Sequence, residues 1–189
     1  MKKTLLIIAL SFCLEACIPA ALVVGATAGG AIIYDQRNVS TMLDDKDIAY
    51  RAQTKLNQDA ELAKSTHLSL ATFNHNVLLV GQAPTSELKS RAEDIVRSVP
   101  KINRIYNEIT IENPSSMIAS TNDTWLTTKV KSVLLAEKGL NSTQIKIVTE
   151  NGVVYMMGLL TRSQADLATN CVQKVDGVQK VVKLFEYQS

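Results

Sequence analysis

Two histidines, three cysteines and an acidic cluster are the residues in this 189-residue chain whose types could hold a metal or attack a substrate. His67 precedes an apolar strand candidate and His75 sits in a turn, so the two lack the i, i+4 spacing of a helical metal pair. Asp44, Asp45 and Asp47 are close together, but no twelve-residue calcium loop surrounds them. The simpler expectation is that they open a helix and meet its dipole. Gly25-Ala26-Thr27-Ala28-Gly29-Gly30 lacks the Gly-Lys-Ser/Thr ending of a phosphate cradle. No nucleophile has a base in sequence reach, so the expectation is a non-enzyme with no cofactor and no metal. A net charge of +2 from 20 basic and 18 acidic residues excludes a polycationic field for duplex nucleic acid.

Cys17 is the cysteine with a chemical context. Met1-Lys2-Lys3 and the apolar run Thr4 to Leu14 have the form of a secretory signal, too short to span a bilayer. Leu14-Glu15-Ala16-Cys17 then resembles a bacterial lipobox, with a small residue just before the cysteine that would be acylated. Cys13 is the poorer candidate because Phe12 occupies the small-residue position. Glu15 departs from the usual small or hydroxyl residue. Ala16 to Ile33 is also apolar, which offers an uncleaved anchor as the competing reading. Pro19, Gly25, Gly29 and Gly30 make that stretch a poor helix, and Gly25 and Gly29 alone are a weak GxxxG signal.

The elements that follow are written twice. Asn74-His75-Asn76-Val77-Leu78-Leu79-Val80-Gly81 and Asn151-Gly152-Val153-Val154-Tyr155-Met156-Met157-Gly158 each read as a hairpin turn and a second strand ending in glycine. Leu68 to Phe73 and Ile145 to Thr149 are the preceding strands. Thr85-Ser86, and Thr161 with Gln164, open the next helices. Leu88, Ala92, Ile95, Val96 and Val99 form one core stripe, and Ala165, Ala168, Cys171, Val172 and Val175 the other, which assigns Cys171 to packing. The closing strands are Asn103 to Ile111 and Val178 to Tyr187. Ile48, Ala52 and Leu56, and in the second copy Leu126, Val130, Val133 and Leu134, mark a helix ahead of each hairpin. The fold class is α+β: two tandem α-β-β-α-β sandwiches, each a three-stranded sheet covered by two helices, with some packing between copies.

Asn76 to Pro84, Val154 to Leu159 and Asn122 to Ser132, behind the lipobox, resemble the dual BON-domain outer-membrane lipoproteins over nearly the whole chain. On that resemblance the organisation is a signal peptide at 1–16, a lipid anchor and tether at 17–43, BON domains at 44–112 and 122–189, and a linker at 113–121. The resemblance also implies a lipid anchor on the periplasmic face of the outer membrane, contact with anionic phospholipid and a part in envelope integrity.

Function should lie where one copy abandons what both need to fold. Aligning Ile48 with Leu126 pairs Asp47 with Trp125, the sole tryptophan. Leu126, Val130 and Val133 share the core face, while Trp125, Ser132, Leu135 and Ala136 fall away from it and Lys129 and Lys131 flank them. Apolar residues off the core beside lysines suit a helix lying on anionic headgroups. The candidate lipid contacts are Trp125, Thr128, Lys129, Lys131, Ser132, Leu135 and Ala136, with Cys17 as the lipidation site. Packing of Trp125 and Leu135 against the other repeat or the linker is the alternative. The first helix, with Tyr50, Arg51 and Asn57 outward, is expected to lack such a patch. Charge agrees in sign: residues 44–112 carry nine basic and ten acidic residues, 122–188 eight and six. The partners expected are an anionic phospholipid membrane or, through the same surface, an outer-membrane assembly protein.

Overall fold

The computed structural model describes residues 38–114 and 117–188. The signal, the lipobox with Cys17, the glycine-rich stretch and most of the tether lie outside the described residues. The first repeat runs α1 (Val39–Gln58), α2 (Ala60–Ser65), β1 (His67–Phe73), β2 (Asn76–Ala83), α3 (Ser86–Arg97), β3 (Arg104–Asn107) and β4 (Thr110–Ile111). The second runs α4 (Met117–Ala136), a short 3-10 turn (Ser142–Gln144), β5 (Ile145–Glu150), β6 (Val153–Leu160), α5 (Arg162–Val172) and β7 (Lys180–Tyr187).

Each hairpin closes through two residues with positive φ: Asn74 (51°) and His75 (63°) in one, Asn151 (48°) and Gly152 (74°) in the other. That is the turn whose twist matches the paired strands. β2 pairs antiparallel with β1 and parallel with β3 and β4, and β6 does the same with β5 and β7. The long second strand is therefore central, and α3 or α5 makes the crossover to its parallel neighbour. Thr85 caps α3, and Thr161 with Gln164 forms a full capping box on α5. Leu88, Ala92, Val96 and Val99 are buried in the first repeat, as are Ala165, Ala168, Val172 and Val175 in the second.

Several elements depart from the sequence reading. Gly81 lies inside β2 opposite Leu68 rather than at its end, with φ of 119°, and a Cβ there would stand 1.9 Å from the carbonyl oxygen of His67. Gly158 faces Ile145, where a Cβ would meet the Gln144 oxygen at 2.7 Å. The closing strand of the first repeat is broken at Glu108-Ile109, because Ile109 turns into the core while Lys89 Nζ donates to its carbonyl at 2.7 Å. Asp59 caps the unforeseen α2 by accepting from the Glu61 and Leu62 amides. Helix α4 reaches back to Met117, into the stretch 113–121 that reads as linker.

The acidic cluster does not open a helix either. Asn38 caps α1, so Asp44, Asp45 and Asp47 fall beyond its first turn. Asp45 is buried, and its carboxylate accepts from the Asn74 and His75 amides, both at 2.8 Å. Asp123 in α4 does the same for Asn151 at 2.7 Å and Gly152 at 2.9 Å. One aspartate per repeat thus ties the first helix to the hairpin turn, satisfying two amides that positive φ leaves pointing away from the ladder.

Three apolar clusters give four layers. Val77 and Leu79 on β2 pack under Ile48, Ala52, Leu56 and α3, while Val154 and Met156 on β6 pack under Leu126, Val130, Leu134 and α5. The opposite faces meet each other: Ala71, Phe73, Leu78 and Val80 pack with Tyr155 and Met157. The order is helices, sheet, sheet, helices, so α1 and α4 occupy opposite outer layers. Polar bonds rim the sheet-to-sheet core. Glu186 accepts from Asn74 and Asn76 of the other repeat, Lys146 donates to the Thr72 carbonyl, and Gln82 donates to Glu150.

Candidate functional site

The outer face of α4 carries the residues the sequence singles out. Trp125 is 62% exposed and Leu135 74%, and neither belongs to the core between the sheets. Most of the Trp125 side chain is therefore open to solvent. Thr128, Lys131, Ser132 and Ala136 are exposed, and Lys129 is half-buried.

These residues form two groups. Trp125 and Leu135 are ten positions apart, about 15 Å along the axis and about 80° around it. At the first end, Lys129 Nζ lies 4.9 Å from the Trp125 ring centroid and also reaches the Asp176 carbonyl at 3.2 Å and its carboxylate at 3.4 Å. Its charge is shared between an indole face and a loop acid. At the other end, Lys131 and Leu135 border a shallow hollow of about 240 Å³ with Ser142, Thr143 and Ile147. Thr128 donates its hydroxyl to the Thr124 carbonyl at 3.1 Å and Ser132 donates to the Thr128 carbonyl at 3.0 Å. Both hydroxyl protons are spent inside the helix, which leaves these two side chains as acceptors.

Sequence reasoning missed two features. The first is a groove of about 600 Å³ beside Trp125, lined by Asn122, Asn151, Gly152, Gly177, Gln179 and the Glu112 carboxylate of the first repeat. The second is a patch on α1. Val39, Leu43 and Tyr50 are all exposed and lie within about 40° of one another at 100° per residue. The expected absence of such a patch on the first helix is overturned. The helix begins at Val39, five residues before the cluster taken to open it, and so gains Val39 and Leu43.

The remaining candidates are structural. His75 is not a free surface imidazole: its Nε2 stands 3.3 Å from Asp44, which also accepts from Lys101 Nζ at 2.7 Å. The Lys101 bond, then the His75 bond, hold the Asp44 carboxyl below its ordinary range. Cys171 packs on the second core and donates to Glu137 at 3.1 Å, and burial pushes its thiol up. Among the described residues there is no group of three or more His, Cys, Asp or Glu placed to hold a metal. No helix among them is long and apolar enough to cross a membrane.

Residues 44–113 and 122–189 each match the BON domain family. The chain is 32% identical over 187 residues to the outer membrane lipoprotein DolP of Haemophilus influenzae, covering 99% of this chain and 96% of that one. It is 35% identical over 153 residues to a 21 kDa hemolysin of Actinobacillus pleuropneumoniae, covering 81% of this chain and 79% of that one. It is 26% identical over 158 residues to the osmotically-inducible protein Y of Escherichia coli, covering 82% and 78%. With both repeats matched and a relative aligned almost end to end, the chain belongs to the BON-domain family, as a tandem, non-enzymatic member closely related to the outer-membrane lipoprotein DolP.

Proposed function

We propose that this protein is a periplasmic lipoprotein, acylated at Cys17 and anchored in the outer membrane, whose helix α4 docks on anionic phospholipid and so supports envelope integrity. The observation that carries the reading is the solvent exposure of Trp125 and Leu135 on a helix whose opposite face is fully committed to the core. An indole in the third turn and a leucine in the last turn of α4, with Lys131 in no ion pair among the described residues, suit an interfacial position. Lys129 adds charge close to the indole. The test is flotation of the chain lacking residues 1–17 with vesicles of phosphatidylcholine alone or with added phosphatidylglycerol. Docking is expected only on the anionic vesicles and is expected to weaken with salt. Equal flotation on both vesicles, or none, overturns the reading.

A second reading, an adaptor for an outer-membrane protein or its assembly machinery, gains from the α1 patch. Val39, Leu43 and Tyr50 face away from the first core, in the layer opposite α4. A flat bilayer that meets α4 leaves them unused, and three exposed apolar side chains in register fit a protein partner. Crosslinking from Tyr50 and from Trp125 in intact envelopes separates the two faces: a protein adduct at Tyr50 with none at Trp125 is the expected outcome of the combined reading.

A further inference from the structure

The groove beside Trp125 exists because the second repeat has lost the side chains that fill the same place in the first. The two copies align without ambiguity at this end. The Asn74 and His75 amides bind Asp45 as the Asn151 and Gly152 amides bind Asp123. The Asn103 amide donates to the His75 carbonyl at 2.8 Å as the Gln179 amide donates to that of Gly152 at 2.9 Å. Lys101 (φ 69°) and Gly177 (φ 100°) then occupy one position, each two residues ahead of that bond. In the first repeat, His75, Lys101 and Asp44 close the space by bonding to one another. Their counterparts are Gly152, Gly177 and Asn122: two side chains deleted and one charge removed. Asp47, which pairs with Arg51, is replaced by Trp125. Four changes at one spot turn a salt-bridged plug into an open groove of about 600 Å³, within the size range of ligand sites.

The lining specifies a ligand chemistry. It offers one aromatic wall, the neutral amides of Asn122, Asn151 and Gln179, and the carboxylates of Glu112 and Asp123, with no cation among its lining residues; Glu112 accepts from Thr110 and from the Asn151 amide through one oxygen, and Asp123 from two turn amides. Amides donate and accept in pairs and a carboxylate accepts, which matches hydroxyl groups, while an indole face takes the C–H side of a ring. The two lining carboxylates, Glu112 and Asp123, oppose a phosphate in the groove. We propose that this groove binds a neutral saccharide, its ring against Trp125 and its hydroxyls on the amides and Glu112. Both readings use Trp125, but Asn122, Gly177 and Gln179 line the groove without being among the lipid contacts, so variants at those three positions separate this proposal from the phospholipid reading.

Trp125 is the only tryptophan, so emission from the whole protein reports the site. The full chain, in a detergent without sugar, is titrated with maltotriose and with triacetylchitotriose. A saturable change in emission is expected with at least one. Asn122→Asp with Gly177→Lys restores two residues of the first repeat's plug, at a position where Lys101 also has positive φ (69° against 100° at Gly177), and is expected to weaken binding by about tenfold or more while anionic vesicle flotation persists. Gln179→Ala, which trims one lining amide and leaves both glycines, is expected to weaken binding with an unchanged thermal midpoint, and it decides the matter if the double variant fails to fold. No saturable response to either sugar overturns the proposal, as does undiminished response in a folded plugged variant. A stronger response to glycerophosphoglycerol than to either sugar also overturns it, because it would mean that the groove selects an anionic headgroup.

Discussion

The first repeat is closed where the second is open. Both use a buried aspartate to hold the hairpin turn, an invading glycine to let the first strand's backbone approach, and a hydroxyl cap on the crossover helix. Around that shared frame the first repeat spends its charges internally, on Asp44 with His75 and Lys101, Asp47 with Arg51, and Arg91 with Asp59 and Glu61. The second has glycine or an amide at the plug positions and an exposed indole in place of Asp47. Duplication lets one copy serve as scaffold while the other gives up local polar bonds for a surface. The sheet-to-sheet core makes that division workable, since each repeat buries the otherwise wet face of the other's sheet.

The sharpest test of the shared frame is to put a side chain on each central strand glycine. Gly81→Val meets the His67 carbonyl at 1.9 Å and demands a φ of 119° that valine rarely adopts, so a loss on the order of 3 kcal/mol or more is expected. Gly158→Val meets the Gln144 oxygen at 2.7 Å without the φ penalty, and a smaller loss is expected. Denaturant unfolding of both variants checks the order. Equal losses would mean that contact alone, and not backbone conformation, sets the cost.

The aspartate clamps should behave alike, which makes them the control for any claim of asymmetry. Asp45→Ala and Asp123→Ala each leave two turn amides without their carboxylate, at about 1 to 3 kcal/mol. Asn at either position keeps one acceptor oxygen and should cost less. A clamp that matters in only one repeat would show that the hairpin turn of the other is held by neighbouring contacts, for which Glu186, bonded to Asn74 and Asn76, is the candidate.

The two exposed faces should part company on vesicles. Trp125→Ala is expected to weaken anionic vesicle binding about tenfold, about 1.4 kcal/mol, and Leu135→Ala by less, because the indole has the larger interfacial payload. Tyr50→Ala is expected to leave it unchanged. Loss of binding in the Tyr50 variant would move the docking face to α1. Trp125→Asp is a weaker tool than Trp125→Ala, since position 125 lies in the third turn of α4 and a carboxylate there gains no dipole contact.

How much of this was readable beforehand differs by element. The duplication was legible because hairpin turn, strand glycine and helix stripe recur with their spacing intact, whereas the full sheet-to-sheet core was foreseen only as some packing between copies. The start of α1 was not legible, because Val39, Met42 and Leu43 share a face that lies away from the Ile48-Ala52-Leu56 core stripe and so do not extend it. The aspartate clamps hid inside a charge cluster: composition places three acids together, and only the fold separates buried Asp45 from exposed Asp47. Trp125 stood out by type. The groove beside it did not, since it is made of absent side chains, and those become visible only when turn residues rather than core residues are aligned.

The smallest effect expected lies between the repeats, where Glu150 of the second accepts from Gln82 of the first. Burial raises the Glu150 pKa, its leading cause, while the Gln82 bond works the other way. A carboxyl whose folded pKa lies above its unfolded value binds its proton more tightly when folded. Its contribution is therefore fully present below the unfolded pKa and is lost as pH rises through the folded one. Asp44 and Asp59, both lowered, run in the opposite sense, contributing above the ordinary carboxylate range and losing that contribution as pH falls through their folded values. Glu150→Gln keeps an acceptor for Gln82 and mimics the protonated acid at every pH. Thermal midpoints measured from mildly acid to neutral pH should fall less in this variant than in the parent, by a few degrees at most for one half-buried group. The same fall in both proteins would place the pH sensitivity elsewhere in the seam, and a variant less stable than the parent at neutral pH would show that the charged Glu150–Gln82 bond outweighs the cost of burying the carboxylate.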